Sequence, residues 1–227
     1  MNNPAQPPQA VSATSLVKTL GIASTVCGLI IVGAYQGTFE AAAANRRLAL
    51  ERTVFKVVPT AKSMTEWQAT QQGLRPAGSE PAAGTVKFYA AYDAQGILAG
   101  IAAEGAAKGY ADTVRILYGY SPGCQCITGF GLVASKETPG IGDKIVTDKA
   151  FLANFAALDV KLNAELSALA NEVKAVKHGT KTKNWEIDAI AGATVTSRAV
   201  GKAINDSAQQ LLPKLVPGME KLRKKES

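Results

Sequence analysis

The chain has 227 residues, enough for one domain with its own core and an appendage. Hydrophobic residues make up 47% and charged residues 19%, which excludes an intrinsically disordered chain. The formal charge is +7, and Lys214 to Ser227 holds five basic residues against two acidic ones, a short basic tail that suits a membrane surface or a partner better than DNA.

Residues 1–14 are rich in Pro, Gln, Ala and Ser and predict a disordered arm. Residues 15–39 predict a transmembrane anchor. No charge falls between Lys18 and Glu40, and the uncharged run Thr19–Phe39 is 21 residues long. A helix that spans a bilayer needs roughly 20. A cleaved signal peptide competes with this reading, because Ala41–Ala44 offers small residues to a peptidase. The apolar run exceeds the roughly 7–15 residues of a signal core, so the retained anchor is the expectation. Lys18 on one side and Arg46, Arg47 and Arg52 on the other leave the orientation open.

Residues 40–227 predict the folded domain. Glu40–Val58 reads as a helix, with apolar Leu48, Leu50, Val54 and Val57. Thr60–Pro81 reads as loop. Val86–Tyr92 and Ile97–Ile101, joined through Asp93-Ala-Gln-Gly96, read as a hairpin. Thr113–Tyr118 and Ile127–Val133 read as strands, Asp148–Ala157 and Leu162–Val176 as helices, and Trp185–Ile190 as a short strand. Ser197–Leu212 predicts an amphipathic helix stopped by Pro213. The expected class is α+β with a mostly antiparallel sheet and flanking helices.

Cysteine and histidine are scarce. One histidine, His178, and three cysteines exclude a histidine zinc cluster, a c-type haem attachment and an iron–sulfur cluster held by this chain alone. His178 lies in the polar stretch Lys177–Lys181 and reads as an ordinary loop residue. Cys124-Gln-Cys126 admits a disulfide, a metal or cluster contact shared with another subunit, or two ordinary thiols alternating in and out at a strand start. The last is the expectation. Cys27, in the anchor, reads as a small apolar residue, and Trp67 and Trp185 as packing residues.

Chemistry concentrates in Asp188-Ala-Ile-Ala-Gly-Ala-Thr194-Val-Thr-Ser197. A strand ends, Gly192 permits a tight turn, and the hydroxyls of Thr194, Thr196 and Ser197 precede a helix. The plain reading of such a helix start is an N-cap, with an anion site, suited to a phosphate, as the competing and compatible reading. A second loop, Glu137-Thr-Pro-Gly-Ile-Gly142, pairs flexible Gly140 and Gly142 with apolar Pro139 and Ile141 and a hydroxyl at Thr138.

Asp188-Ala-Ile-Ala-Gly-Ala-Thr194 resembles the acceptor motif of flavin transferases, an Asp followed by a Ser/Thr-Gly-Ala-Thr core. The first core position is here Ala191, a departure from the pattern. The run from Glu137 to Lys144 is similar to the other loop of FMN-binding domains in Rnf complexes and in sodium-pumping NADH:quinone reductase. Lys18–Gly21, Ala34–Gln36, Asn45–Arg47 and Val54–Val58 resemble the anchor and following helix of Rnf G subunits. The resemblance spans most of residues 15–212.

It implies FMN joined by a phosphoester to Thr194. It implies a cofactor site that also includes Gly192, Ala193, Val195, Thr196, Ser197, Glu137, Thr138, Pro139, Gly140, Ile141, Gly142, Tyr120 and Ser121. Lys144 or Arg198 would offset flavin or phosphate charge. No metal and no nucleic acid are expected. The implied role is electron relay, without independent turnover, in an ion-translocating ferredoxin:NAD oxidoreductase. The implied partners are the other subunits, a flavin transferase for maturation and the bacterial inner membrane, with the domain facing the periplasm. Three alternatives stand beside this role: the related quinone-reductase component, an anchored binding or assembly module without redox turnover, and a secreted domain.

Overall fold

The computed structural model describes residues 12–78 and 84–225. Most of the expected arm, residues 1–11, lies outside the described residues; Ala13 and Thr14 are already helical. The first helix, α1 (Ala13–Val57), takes in both the expected anchor and the helix expected after it. Its run Thr19–Phe39 is about 32 Å long at about 1.5 Å per residue, the thickness of a bilayer core. Leu20, Ile22, Leu29, Ile30, Ile31 and Tyr35 are all exposed along it. The helix is long and apolar enough to cross a membrane. The chain divides into two compact units with the boundary after Leu48.

The second unit is built on one sheet. Its strands are β1 (Ser63–Thr70), β2 (Gly73–Pro76), β3 (Val86–Tyr92), β4 (Leu98–Lys108), β5 (Thr113–Ser121), β6 (Cys126–Ala134) and β7 (Leu158–Asp159). They lie in the order β2-β1-β3-β4-β5-β6-β7, and every neighbouring pair is antiparallel. A helical turn, α2 (Lys149–Ala153), follows β6. A parallel pair, β8 (Lys174–Val176) with β9 (Glu186–Asp188), precedes the long helix α3 (Thr194–Leu215).

Both faces of the sheet are covered. Val200, Ile204, Leu211 and Leu215 of α3 pack with Phe88, Ile101, Ile116 and Tyr118 on one face. Val54, Val57 and Val58 pack with Tyr89, Ala91, Ala102 and Leu117 on the other. Glycines on the strands make room there: a Cβ at Gly131 would lie 2.5 Å from Thr53 Cγ2, and one at Gly119 would strike the Val57 carbonyl oxygen. Phe130, Phe151 and Phe155 meet edge to face, with Phe130 and Phe155 centroids 4.6 Å apart, and pin α2 against β6.

Four local expectations are corrected. Thr60–Pro81 contains β1 and β2; Trp67, Ala69 and Leu74 are buried, and the hydrophobic face of the hairpin is hidden among polar neighbours in the sequence. Leu162–Val176 is a loop followed by β8, with no helix. The Asn163 side chain accepts from the Ser167 and Ala168 N–H groups, and Leu166 has a φ of +55°. Local side-chain bonding there overrides helix propensity. The last helix runs past Pro213 to Leu215 and then into a 3-10 turn, Val216–Leu222. Full burial of Leu211, Leu212 and Leu215, roughly 1.5–3 kcal/mol each, outweighs the missing N–H. Cys124 and Cys126 are joined in a disulfide and are not two free thiols.

Candidate functional site

Three pieces of chain converge at one end of β5. They are the β4–β5 turn at 109–112, the loop 135–142 that leaves β6, and the start of α3. Between them lies a cleft of about 390 Å³, within the usual range for a small-molecule site. Tyr110, Glu137, Thr138, Ile141, Gly142 and the segment 192–196 line it.

The segment leading to Thr194 is braced from one side. Asn154, 7% exposed, bonds the backbone of β9 on both sides. Its Oδ1 accepts from the Asp188 N–H at 3.0 Å, and its Nδ2 donates to the Asp188 and Phe151 carbonyls. Lys181 Nζ donates to the same Oδ1 at 2.9 Å. Asp188 in turn accepts the Gly179 N–H at 2.6 Å, and His178 Nδ1 lies 3.0 Å from the Ala189 carbonyl. The chain then turns at Gly192, whose φ of +83° favours glycine.

The three hydroxyls of the helix start differ in availability. Ser197 is fully buried; its Oγ donates to the Ala193 carbonyl and accepts from the Ile190 N–H, which closes the turn from inside. Thr196 is buried and donates to Glu137 Oε2 at 2.6 Å. Thr194 is half-buried at the cleft and has no hydrogen-bond partner among the described residues. The residue before it, Ala193, caps the helix without a side-chain bond. The first N–H groups of α3 therefore have no cap side chain to satisfy them, and the positive end of the helix points at this spot.

Glu137 joins the pieces. Besides the Thr196 hydroxyl, it accepts the Ala111 N–H at 3.0 Å. Burial pushes its carboxyl up, but bonds from Thr196, Ala111, Asp112 and Tyr110 outweigh that and hold it below the ordinary glutamate value. Its side chain fills the space against Gly142, where a Cβ would lie 2.5 Å from Glu137 Cβ.

The structure gathers Glu137, Thr138, Ile141, Gly142, Gly192, Ala193, Thr194, Val195 and Thr196 at the cleft. Pro139 and Gly140 form the tip of the same loop, closed by the Gly142 N–H to the Thr138 carbonyl. Tyr120 is buried in the sheet, and Ser121 ends β5 at its far end; neither lines this cleft. Lys144 lines a neighbouring cleft of about 370 Å³ with His178 and Asp188, and Arg198 a groove of about 250 Å³ beside Lys174 and Lys202. Tyr110 was missed by sequence reasoning. It stands 75% exposed at the lip, in a Lys-Gly-Tyr-Ala-Asp turn whose only sequence signal is a glycine between two strands.

Residues 109–209 match the family model described as an FMN-binding domain. The chain is similar to G subunits of ion-translocating oxidoreductase complexes. It is 27% identical over 207 residues to the G subunit of the proton-translocating ferredoxin:NAD(+) oxidoreductase complex of Clostridium ljungdahlii, over 88% of this chain and 92% of that protein. It is 36% identical over 105 residues to the Na(+)-translocating counterpart of Acetobacterium woodii, over 46% of this chain and 45% of that protein. Among solved structures it is similar to NqrC of Shewanella oneidensis, with a TM-score of 0.57 and 18% identity over 79% of this chain and 98% of that one. That likeness is one of fold.

Proposed function

We propose that the chain is a membrane-anchored flavoprotein that carries FMN on Thr194 and relays electrons within an ion-translocating ferredoxin:NAD oxidoreductase. The observation that carries the attachment site is the contrast among the three hydroxyls. Thr194 alone of them faces the cleft without a partner, while Thr196 is engaged by Glu137 and Ser197 closes the turn. Serine and threonine hydroxyls are uncharged alcohols that can be esterified by phosphate, and the charge left on the phosphodiester would sit at the open helix start.

The residues present fit the group. The phosphate end would meet the first N–H groups of α3, beyond Ala193. The flat ring would lie along the apolar side of the cleft, against Ile141 and Tyr110. FMN, when bound, supplies reversible one- and two-electron chemistry. The protein's part is to bind, orient and shield. Glu137 fixes the loop 135–142 to the helix start and keeps its charge turned to N–H donors. Lys144 and Arg198 line neighbouring clefts and would add positive potential without entering this one.

The remaining parts follow the same reading. Residues 15–39, within α1, are the single-pass anchor in the bacterial inner membrane, and the domain from residue 40 onward faces the periplasm. The partners are the other subunits of the complex and a flavin transferase that loads Thr194. The Clostridium ljungdahlii relative, a G subunit matched over 92% of its length, supports this reading over the quinone-reductase alternative. The test is Thr194→Val in membranes from cells with an active flavin transferase. The variant stays in the membrane fraction and loses the flavin fluorescence that survives denaturation. Retained covalent flavin in that variant contradicts the assignment.

A further inference from the structure

The turn that joins β5 to β6 carries a group the flavin reading does not use. Cys124 and Cys126 form a disulfide with their Cα atoms 5.2 Å apart. Gln125 between them has a φ of +53°, a region that a side chain with a Cβ enters at a cost. Cys124 is exposed, whereas Cys126 is 5% exposed at the start of β6.

As a staple this bridge has little to do. A disulfide stabilises chiefly by restricting the unfolded chain, and the gain grows with the loop it closes. Here only one residue lies between the cysteines. The two strands it touches are already joined along their length, from Arg115↔Ala134 to Ser121↔Cys126. The bridge also lies far from the cleft. The cleft borders the turn before Thr113, and the bridge follows Ser121, so β5 separates them by about 30 Å at about 3.3 Å per residue.

We propose that Cys124–Cys126 is a site of thiol–disulfide exchange with an external protein dithiol, entered at Cys124 Sγ. The attacking thiolate forms a bond to the exposed Cys124 Sγ and breaks the bond to Cys126 Sγ, which leaves as a thiolate and takes up a proton. The second thiol of the partner then displaces Cys124, which is released as a thiolate and protonated. The partner ends as a disulfide, and this chain gains two electrons and two protons. The asymmetry in exposure sets the order, because attack needs access to sulfur. Reduction frees Gln125 from its left-handed backbone. The Gln125 carbonyl accepts the Val160 N–H at 3.2 Å, and Cys126 pairs with Asp159, so the change is felt at β7.

The test uses the full-length membrane protein carrying Cys27→Ser, which removes the remaining thiol. Thiols are blocked at lysis, and a maleimide then counts new ones in native buffer. No label is expected before treatment and two labels after dithiothreitol, with the protein still folded. Faster hydrogen exchange at the Val160 amide should accompany them. In single-cysteine variants, Cys126→Ser leaves a Cys124 that labels at least tenfold faster than the Cys126 left by Cys124→Ser. Labels that appear only in denaturant, two thiols already free at lysis, or faster labelling of Cys126 would each overturn the proposal. Flavin absorbance reports the cleft separately, so failure here leaves the flavin reading intact.

Discussion

The Thr196 hydroxyl donates to Glu137 Oε2 at 2.6 Å across 59 residues of chain. This bond joins the loop after β6 to the first turn of α3, and Glu137 Oε1 adds the β4–β5 turn through the Ala111 N–H. One carboxylate thus fixes all three walls of the cleft. It also engages the Thr196 hydroxyl, so the proposed flavin ester falls to Thr194.

Removing that carboxylate should loosen the cleft. Glu137→Ala leaves Thr196 and the Ala111 N–H without their acceptor, at a cost of about 1–2 kcal/mol for a partly exposed group. Thermal unfolding should shift down by several degrees. The acid limb should change as well. The folded-state value of Glu137 lies below its ordinary one, so the unfolded chain binds the extra proton. Its contribution is fully present above the ordinary glutamate value and is lost as pH falls from there through the lower folded-state value. Glu137→Gln should flatten that part of the stability–pH curve; an unchanged acid limb would contradict this account.

Asn154 should matter more than a single polar residue usually does. Its amide meets the Asp188 backbone at both N–H and carbonyl and also holds Lys181. Asn154→Leu leaves the Asp188 N–H without its acceptor, and a loss of about 2–3 kcal/mol in denaturant unfolding is expected. Because the same bond sets the strand that leads to Thr194, flavin loading should slow in parallel. Asn154→Asp, which keeps an acceptor, should cost less.

Gly119 should not tolerate a methyl group. A Cβ there strikes the Val57 carbonyl oxygen, a backbone atom that cannot rotate away, so the helix end must move. Gly119→Ala should destabilise the domain by about 1–3 kcal/mol, while Gly129→Ala, where a Cβ meets nothing within 4 Å, should be near neutral from clashes. Equal melting temperatures for the two variants would contradict the packing described.

Much of this was legible in the sequence because it rests on local signals. Runs of β-branched, aliphatic and aromatic residues marked β3, β5 and β6, and the uncharged run Thr19–Phe39 marked the anchor segment of α1. The Gly-Ala-Thr and Thr-Pro-Gly segments were visible as turns, and the structure brings both to one cleft. What was hidden depends on distant partners. Trp67 and Leu74 become strand residues only against β3 and α3, and Leu162–Val176 fails as a helix because Asn163 bonds its own loop. Tyr110 reaches the cleft because β4 ends and β5 begins there, and Tyr120 misses it because it lies inside the sheet, which no spacing in the chain announces.

The central claim is the flavin ester on Thr194, and peptide mass spectrometry of the membrane-purified protein tests it most directly. The account predicts a peptide containing Thr194 heavier by one FMN less one water, with fragmentation placing the ester on Thr194 and not on Thr196 or Ser197. An unmodified peptide from cells with an active flavin transferase, or an ester on either of the other two hydroxyls, would contradict it.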